Sequence, residues 1–297
     1  MRRSLTAGRR TAGLAVTALT AALTITACGD DADSGEASKP ETLSIEVTEQ
    51  AGDDFRLSAP KSVKAGIVEI SLTSPPGEAT HDAQVVRVEG DHTVDEVVAA
   101  VSSLGAPFPR WLIPAGGVGQ TGGGAVGTAV QRLEPGTYYI LDTDEPEGDE
   151  VKSYAESGAT AALEVTGEAG SAGLPETDAK ITAKDYAFAV SGLKAGKNEI
   201  EFANAGKQPH HLMAFPYRTG ATLNDVKTFF TEEGNGSGPP PLDFAGATRT
   251  ATLDSGDKQF VELDLERGKY AFVCFISDRE GGPPHAVNGM IVEAAVE

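Results

Sequence analysis

One succession of residues runs through this chain twice, and whatever it folds into must therefore be built twice. Lys64-Ala65-Gly66 with Glu69-Ile70 reappears as Lys194-Ala195-Gly196 with Glu199-Ile200, at an offset of 130. From His81 to Gly105 the chain aligns without a gap on His210 to Gly234, at an offset of 129. That stretch pairs Thr93 with Thr222, Glu96 with Asp225 and Val97 with Val226. Gly136 and Tyr138 fall on Gly268 and Tyr270 at an offset of 132. Three blocks in the same order are a duplicated domain, far longer than a solenoid repeat. Carried on, the alignment puts Asp142 at the position of Cys274, Tyr154 at that of His285 and Ala159 at that of Met290.

Outside the repeat, the N-terminus reads as an export signal. Arg2, Arg3, Arg9 and Arg10 precede an uncharged stretch from Thr11 to Ala27, the order of a secretory signal peptide over 1–27. Leu23-Thr24-Ile25-Thr26-Ala27-Cys28-Gly29 resembles a bacterial lipobox, which implies cleavage before Cys28 and a diacylglycerol on its sulfur. Residues 28–40 are polar and rich in Asp, Ser and Gly, a flexible tether from the bilayer. The expected location is extracytoplasmic, lipid-anchored to the outer face of the cell membrane. A second linker at 167–176, with Gly-Glu-Ala-Gly-Ser-Ala-Gly, lies where the duplication predicts a boundary. The copies therefore occupy 41–166 and 177–297. The chain has 44 acidic against 24 basic residues, and four of the basic ones lie in the signal. Nucleic acid is excluded as a partner, since phosphate binding needs a basic face. High acidity serves solubility, and can also steer a basic protein partner.

Gly66–Leu72, Ala83–Val88, Gly196–Phe202 and Gln259–Leu265 alternate apolar with polar residues, as half-buried strands do. Thr93-x-x-Glu96 and Thr222-x-x-Asp225 have the form of capping boxes, each predicting a helix of about ten residues that ends near Gly105 or Gly234. The expected class is all-β: two tandem Greek-key β-sandwiches, each with one short excursion helix.

The chemistry-bearing residues concentrate in the second copy. Asn204-Ala-Gly206-Lys-Gln-Pro209-His210-His211 opens it, and Gly268-Lys-Tyr270-Ala-Phe-Val-Cys274, then Pro284-His285-Ala-Val-Asn-Gly289-Met290, close it. Here the chain resembles the cupredoxins, the plastocyanin and azurin family of blue copper proteins. The resemblance covers the whole second copy and, as fold only, the first. It implies one copper ion in the C-terminal domain, with Cys274 as thiolate ligand, His210 and His285 as imidazole ligands and Met290 as the weak axial ligand. A thiolate, two imidazoles and a thioether serve both cuprous and cupric copper. His211 is the alternative to His210. Adjacent strand residues face opposite ways, so only one of the two points inward. Familiar blue copper loops place two to four residues between Cys and His, whereas ten stand between Cys274 and His285. Pro283-Pro284 restrict the chain's return to His285. The first copy keeps only His81 of the four positions, so it lacks copper ligands, and His81 with Asp142 is expected to form a hydrogen bond.

The leading reading is a membrane-anchored protein that transfers single electrons through this copper with an unidentified redox or copper-transfer protein partner. A copper-buffering or delivery lipoprotein and a metal-free scaffold are the alternatives. No enzyme activity is expected: a multicopper oxidase needs paired His-x-His segments and a binuclear copper centre needs two nearby cysteines, which the chain lacks. Gly117-Val-Gly119-Gln-Thr-Gly122 matches a dinucleotide fingerprint only formally, without a βαβ context. Trp111 reads as a packing aromatic, and Asp144, Glu145, Glu147, Asp149 and Glu150 as a solvated acidic run.

Overall fold

Repetition in the sequence becomes repetition of strands. In the first copy these are β1 (Glu41–Glu49), β2 (Phe55–Ser58), β3 (Ser62–Lys64), β4 (Gly66–Thr73), β5 (His81–Val88), α1 (Val94–Val101), β6 (Leu112–Thr121), β7 (Val126–Leu133), β8 (Gly136–Leu141) and β9 (Thr160–Thr166). The second copy supplies β10 (Ala179–Lys184), β11 (Ala187–Ser191), β12 (Gly196–Asn204), β13 (Met213–Pro216), α2 (Leu223–Thr231), β14 (Thr248–Arg249), β15 (Lys258–Leu265), β16 (Gly268–Val273) and β17 (Ile291–Val296). The structure is a computed structural model and describes residues 40–50, 54–103, 106–146, 152–231 and 239–297. The signal peptide, Cys28, the tether up to residue 39, Gly105, Gly234, Glu147, Asp149 and Glu150 lie outside the described residues.

The expected all-β pair of sandwiches, each with one short excursion helix, is what the chain forms. In the first copy β2-β1-β4-β7 faces β3-β9-β8-β5-β6, and in the second β11-β10-β12-β15 faces β14-β13-β16-β17. β4 alternates buried and less buried residues, as its sequence predicts. β5 departs from that pattern and is buried on both faces. Its outward Val86 and Val88 pack with Val97 of α1, Leu112 and Leu141 in a small second core. Both capping boxes form: Thr93 Oγ1 accepts from the Glu96 N–H at 3.3 Å, and Thr222 Oγ1 from the Asp225 N–H at 3.3 Å. Val97 and Val226, paired by the repeat, are the buried residues of α1 and α2. Trp111 stacks on His92 with ring centroids 3.8 Å apart, a packing role.

The two copies meet edge to edge. β7 pairs antiparallel with β15, making one eight-stranded sheet, and Ala129 sits opposite its own repeat equivalent, Val261. Joining two edges satisfies two rows of backbone groups that would otherwise template association with other chains. Gln84 staples the copies further, donating to the Thr252 carbonyl at 3.1 Å and accepting the Thr252 N–H at 2.7 Å. Gly119 permits the approach: a Cβ there would lie 1.9 Å from the Arg249 carbonyl oxygen. Of the glycines in the formal dinucleotide match, Gly119 thus serves packing between the copies, while Gly117 lets the chain pass the first copy's own Ala83 carbonyl. The segment at 167–176 is held to the first copy by Arg132, whose Nη1 donates to the Gly170 carbonyl at 2.7 Å.

A polar cluster occupies the first copy's counterpart of the second copy's Cys-His-Met grouping. His81 Nδ1 is 2.7 Å from Asp142 Oδ2, and both side chains are fully buried. Phe55 and Tyr154 pack on the His81 ring at 4.4 and 4.9 Å between centroids. Beside them Asp82 and Asp144 each lie 2.7 Å from Arg249, contributed by the second copy. Asp144 therefore departs from the expected solvated run: it is enclosed at the interface and paired, while Glu145 is exposed. Burial pushes the Asp142 carboxyl up to about 7 and that of Asp144 up to about 6.

Candidate metal centre

The histidine arm of the site begins with a turn that its own asparagine organises. Asn204 Oδ1 accepts the Gly206 N–H at 2.9 Å, and its amide nitrogen donates to the carbonyls of Gln208 at 2.8 Å and Leu253 at 3.0 Å. This folds residues 204–208 so that Pro209 delivers His210 against Leu253, with which His210 exchanges two backbone bonds of 3.0 and 2.9 Å. Gly206 is needed for closeness, because a Cβ there would stand 2.3 Å from Asp185 Oδ1 and 2.9 Å from His210 Nε2. The alternation of the extended chain then separates the two histidines. His210 points inward. His211 turns its Nε2 to accept the Phe275 N–H at 3.0 Å, which steadies the residue after Cys274.

The other arm is the loop from β16 to β17. The Ala286 N–H donates to the Cys274 carbonyl at 2.8 Å, the Met290 N–H to His285 at 2.9 Å and the Cys274 N–H to Met290 at 3.4 Å. The first copy repeats each bond at the aligned position: Ala155 to Asp142 at 2.7 Å, Ala159 to Tyr154 at 2.8 Å and Asp142 to Ala159 at 3.1 Å. The backbone of the cage is thus kept in both copies, and only its side chains differ. The ten intervening residues are accommodated as a side hairpin. The His285 N–H donates to the Ile276 carbonyl at 2.9 Å and Ser277 bridges to Pro284. The excursion closes at its base, and His285 returns to the cysteine.

Three donor atoms converge as a result. Cys274 Sγ is 3.7 Å from His210 Nδ1 and 3.5 Å from His285 Nδ1, and the two nitrogens are 3.1 Å apart. A point equidistant from the three lies about 2.0 Å from each, close to the metal–nitrogen distance of ~2.0 Å and slightly short of the ~2.3 Å of metal–sulfur. His210, Cys274, His285 and Met290 are all fully buried. Among the described residues this His-Cys-His group is the cluster that can hold a metal ion. Met290 is buried and is bonded through its backbone to His285 and Cys274.

Two aspartates and a tyrosine that sequence reasoning did not single out stand behind the imidazoles. His210 Nε2 is 3.0 Å from Asp185 Oδ1, and His285 Nε2 is 3.1 Å from Asp278 Oδ1. The Tyr186 hydroxyl donates to Asp278, with its oxygen 3.0 and 2.9 Å from the two carboxylate oxygens. Burial works against ionisation of Asp185, but the backbone N–H groups of Lys207 and Gln208 and the His210 ring together hold its carboxyl below the usual range. A carboxylate accepting from Nε2–H leaves Nδ1 bare, the tautomer a metal ligand requires. Asp278 lies inside the loop whose extra length was already visible. Asp185 lies 25 residues before its histidine, in a turn with no local mark of function.

Electrostatics separate the cage from water. Burial pushes the Cys274 thiol up to about 12 and the His285 ring down to about 4, the latter helped by the neighbouring His210; burial also lowers His210. At neutral pH the metal-free cage is therefore a thiol between two uncharged rings. Its one proton can satisfy only one of two nitrogen lone pairs 3.1 Å apart. A cation resolves that conflict.

No protein-family profile and no curated protein sequence matches the chain. Among solved structures, an auracyanin from Roseiflexus castenholzii is similar at 17% identity over 42% of this chain and 97% of that one, with a TM-score of 0.29. Auracyanin B is similar at 24% identity over 43% of this chain and 96% of its own, with a TM-score of 0.28. A copper nitrite reductase from Nitrosomonas europaea spans more, 86% of this chain and 93% of its own, at 14% identity and a TM-score of 0.25.

Proposed function

We propose that this protein holds one copper ion between His210, Cys274, His285 and Met290 and exchanges single electrons with a protein partner outside the cytoplasm. The observation that carries this reading is the buried triangle of one sulfur and two imidazole nitrogens, whose sides fit a single late first-row ion. Copper in such a set supplies one-electron chemistry with little rearrangement, because sulfur suits its reduced form and nitrogen its oxidised form. Burial of all four side chains supports a carrier over an enzyme. It also favours electron transfer over copper delivery, because the loop that would have to open is closed by its own hairpin.

The test is reconstitution with copper(II). One ion per chain, an intense visible band and reversible one-electron reduction support the proposal, whereas tight copper(I) binding without reversible redox would favour storage. Turnover of nitrite or of phenolic substrates with dioxygen would make the protein an enzyme. The titration has a built-in pH dependence. Because the thiol stays protonated to about pH 12 while His285 is neutral above about pH 4, binding releases one proton across the neutral range. Copper affinity measured against a competing chelator should rise about tenfold per pH unit between pH 6 and 8, and a flat profile would contradict a thiolate ligand.

The lipid anchor on Cys28 belongs to the same proposal and rests on the sequence. No described helix is long and apolar enough to cross a membrane. Membrane retention lost in Cys28→Ser, with no acyl-modified N-terminal peptide by mass spectrometry, is the expected result. Retention unchanged by that substitution would refute the anchor.

A further inference from the structure

The ten-residue excursion does more than return the chain to His285. Its third and fourth extra-loop residues after Phe275, Asp278 and Arg279, face opposite ways. Asp278 meets the outer nitrogen of His285 at 3.1 Å and is itself held by the Tyr186 hydroxyl at 2.9 Å. The Tyr186 ring stands edge-on to His285 with centroids 5.2 Å apart. Arg279 is bound on every side. Its N–H donates to Gln208 Oε1 at 2.8 Å, and Nη2 meets Asp254 at 2.7 Å. Nη1 reaches across to the first copy, to the carbonyls of Pro109 at 3.2 Å and Leu112 at 3.3 Å. The first copy answers through the Phe108 N–H, which donates to the Arg279 carbonyl at 2.7 Å, and the guanidinium lies 5.5 Å from the Phe108 ring centre.

We propose that this hairpin is a positioning arm: Asp278 fixes the His285 ring with Nδ1 bare and turned to the Cys274 sulfur, and Arg279 locks the arm onto the first copy. The first copy, which lacks the ligand set itself, thereby acts as the rigid wall against which the ligand loop of the second is set. Loop residues are ordinarily the mobile part of a fold, and a ligand on a long loop loses precision unless its supports are fixed. Here a largely enclosed arginine with five partners supplies the fixing, and the partnered carboxylate transmits it to the imidazole. The carboxylate also places negative charge beside the centre, which favours the more highly charged oxidised metal. The inference rests on the copper reading for its purpose, and its geometry is testable without metal.

The experiment uses the mature chain and Asp278→Asn, Asp278→Ala and Arg279→Ala. Nitrogen-15 NMR of the metal-free wild type should show His285 as the Nε2–H tautomer. In Asp278→Ala that preference should be lost and copper affinity should fall about 10- to 100-fold. Asp278→Asn keeps an acceptor and removes the charge, so it should restore the tautomer and most of the affinity while raising the reduction potential. Arg279→Ala touches no donor, yet should lower affinity and broaden the His285 resonances. Should Arg279→Ala fail to fold, the two Asp278 variants carry the test, since that side chain is partly exposed. An Asp278→Ala protein with the wild-type tautomer and affinity within twofold of wild type would overturn the proposal. A wild type that shows the tautomer but binds no copper would instead refute the copper reading and leave the positioning intact.

Discussion

Cys274→Ser is expected to abolish the visible absorption of the copper-loaded protein and to weaken copper binding by more than the ~10- to 100-fold that loss of an outer partner costs. The sulfur is one corner of the donor triangle, and the band arises from charge transfer out of a thiolate. A serine hydroxyl is harder, shorter and far less acidic, so in this dry cage it stays protonated and offers copper little. Folding should survive, because the new hydroxyl can donate to a bare imidazole nitrogen in place of the thiol. Absorption and affinity are read on a variant whose melting temperature is first shown to match wild type. A band of undiminished intensity in that variant would remove Cys274 from the centre.

Arg249→Met should cost about 3–5 kcal/mol of stability, the usual loss when one partner of a buried ion pair is removed. Arg249 is enclosed, with 16% of its side chain exposed, and Asp82 and Asp144 are more enclosed still at 4% and 9%. Removing the guanidinium leaves two carboxylates facing each other at the junction of the copies. For a chain of this size the melting temperature should drop by roughly 10 °C. The loss should depend on pH with a defined sign. Asp142 and Asp144 have folded-state values raised to about 7 and about 6 against an ordinary 3.8. Their favourable contribution is complete below about pH 4 and is lost as pH rises through 6 to 7. The variant should therefore be most destabilised near pH 8 and partly recover by pH 5. A melting temperature within about 2 °C of wild type at pH 8 would show that the pair carries no net stability.

Much of this was legible from residue order, and the reasons are physical. Repeats of strand alternation, glycine turns and capping boxes are local signals, so β4, β5, β12, β15 and the starts of both helices fall where the sequence puts them. Ligand types at recurring positions also survive reading by eye, and strand alternation separates His210 from His211. What the sequence hid is long-range and polar. Asp185 and His210 meet only because Gly206 lets the turn close, and Arg249 finds Asp82 and Asp144 only once the copies dock. The acidic run looked solvated for the same reason: its partner lies 105 residues away from Asp144. The unusual length of the Cys274–His285 loop is visible, but its use is not, since three of the groups that hold Arg279, on Phe108, Pro109 and Leu112, belong to the other copy.

The edge-to-edge pairing of β7 with β15, with Ala129 opposite its own equivalent, is the geometry of a symmetric dimer contained in one polypeptide. A true homodimer must make every contact twice, because each change in one subunit appears in the other. A tandem chain is free of that constraint. Arg249 can enter the first copy's acidic cluster without a reciprocal arginine, and Asp142 can stand on one side where Cys274 stands on the other. Covalent linkage leaves each copy free to diverge from the other.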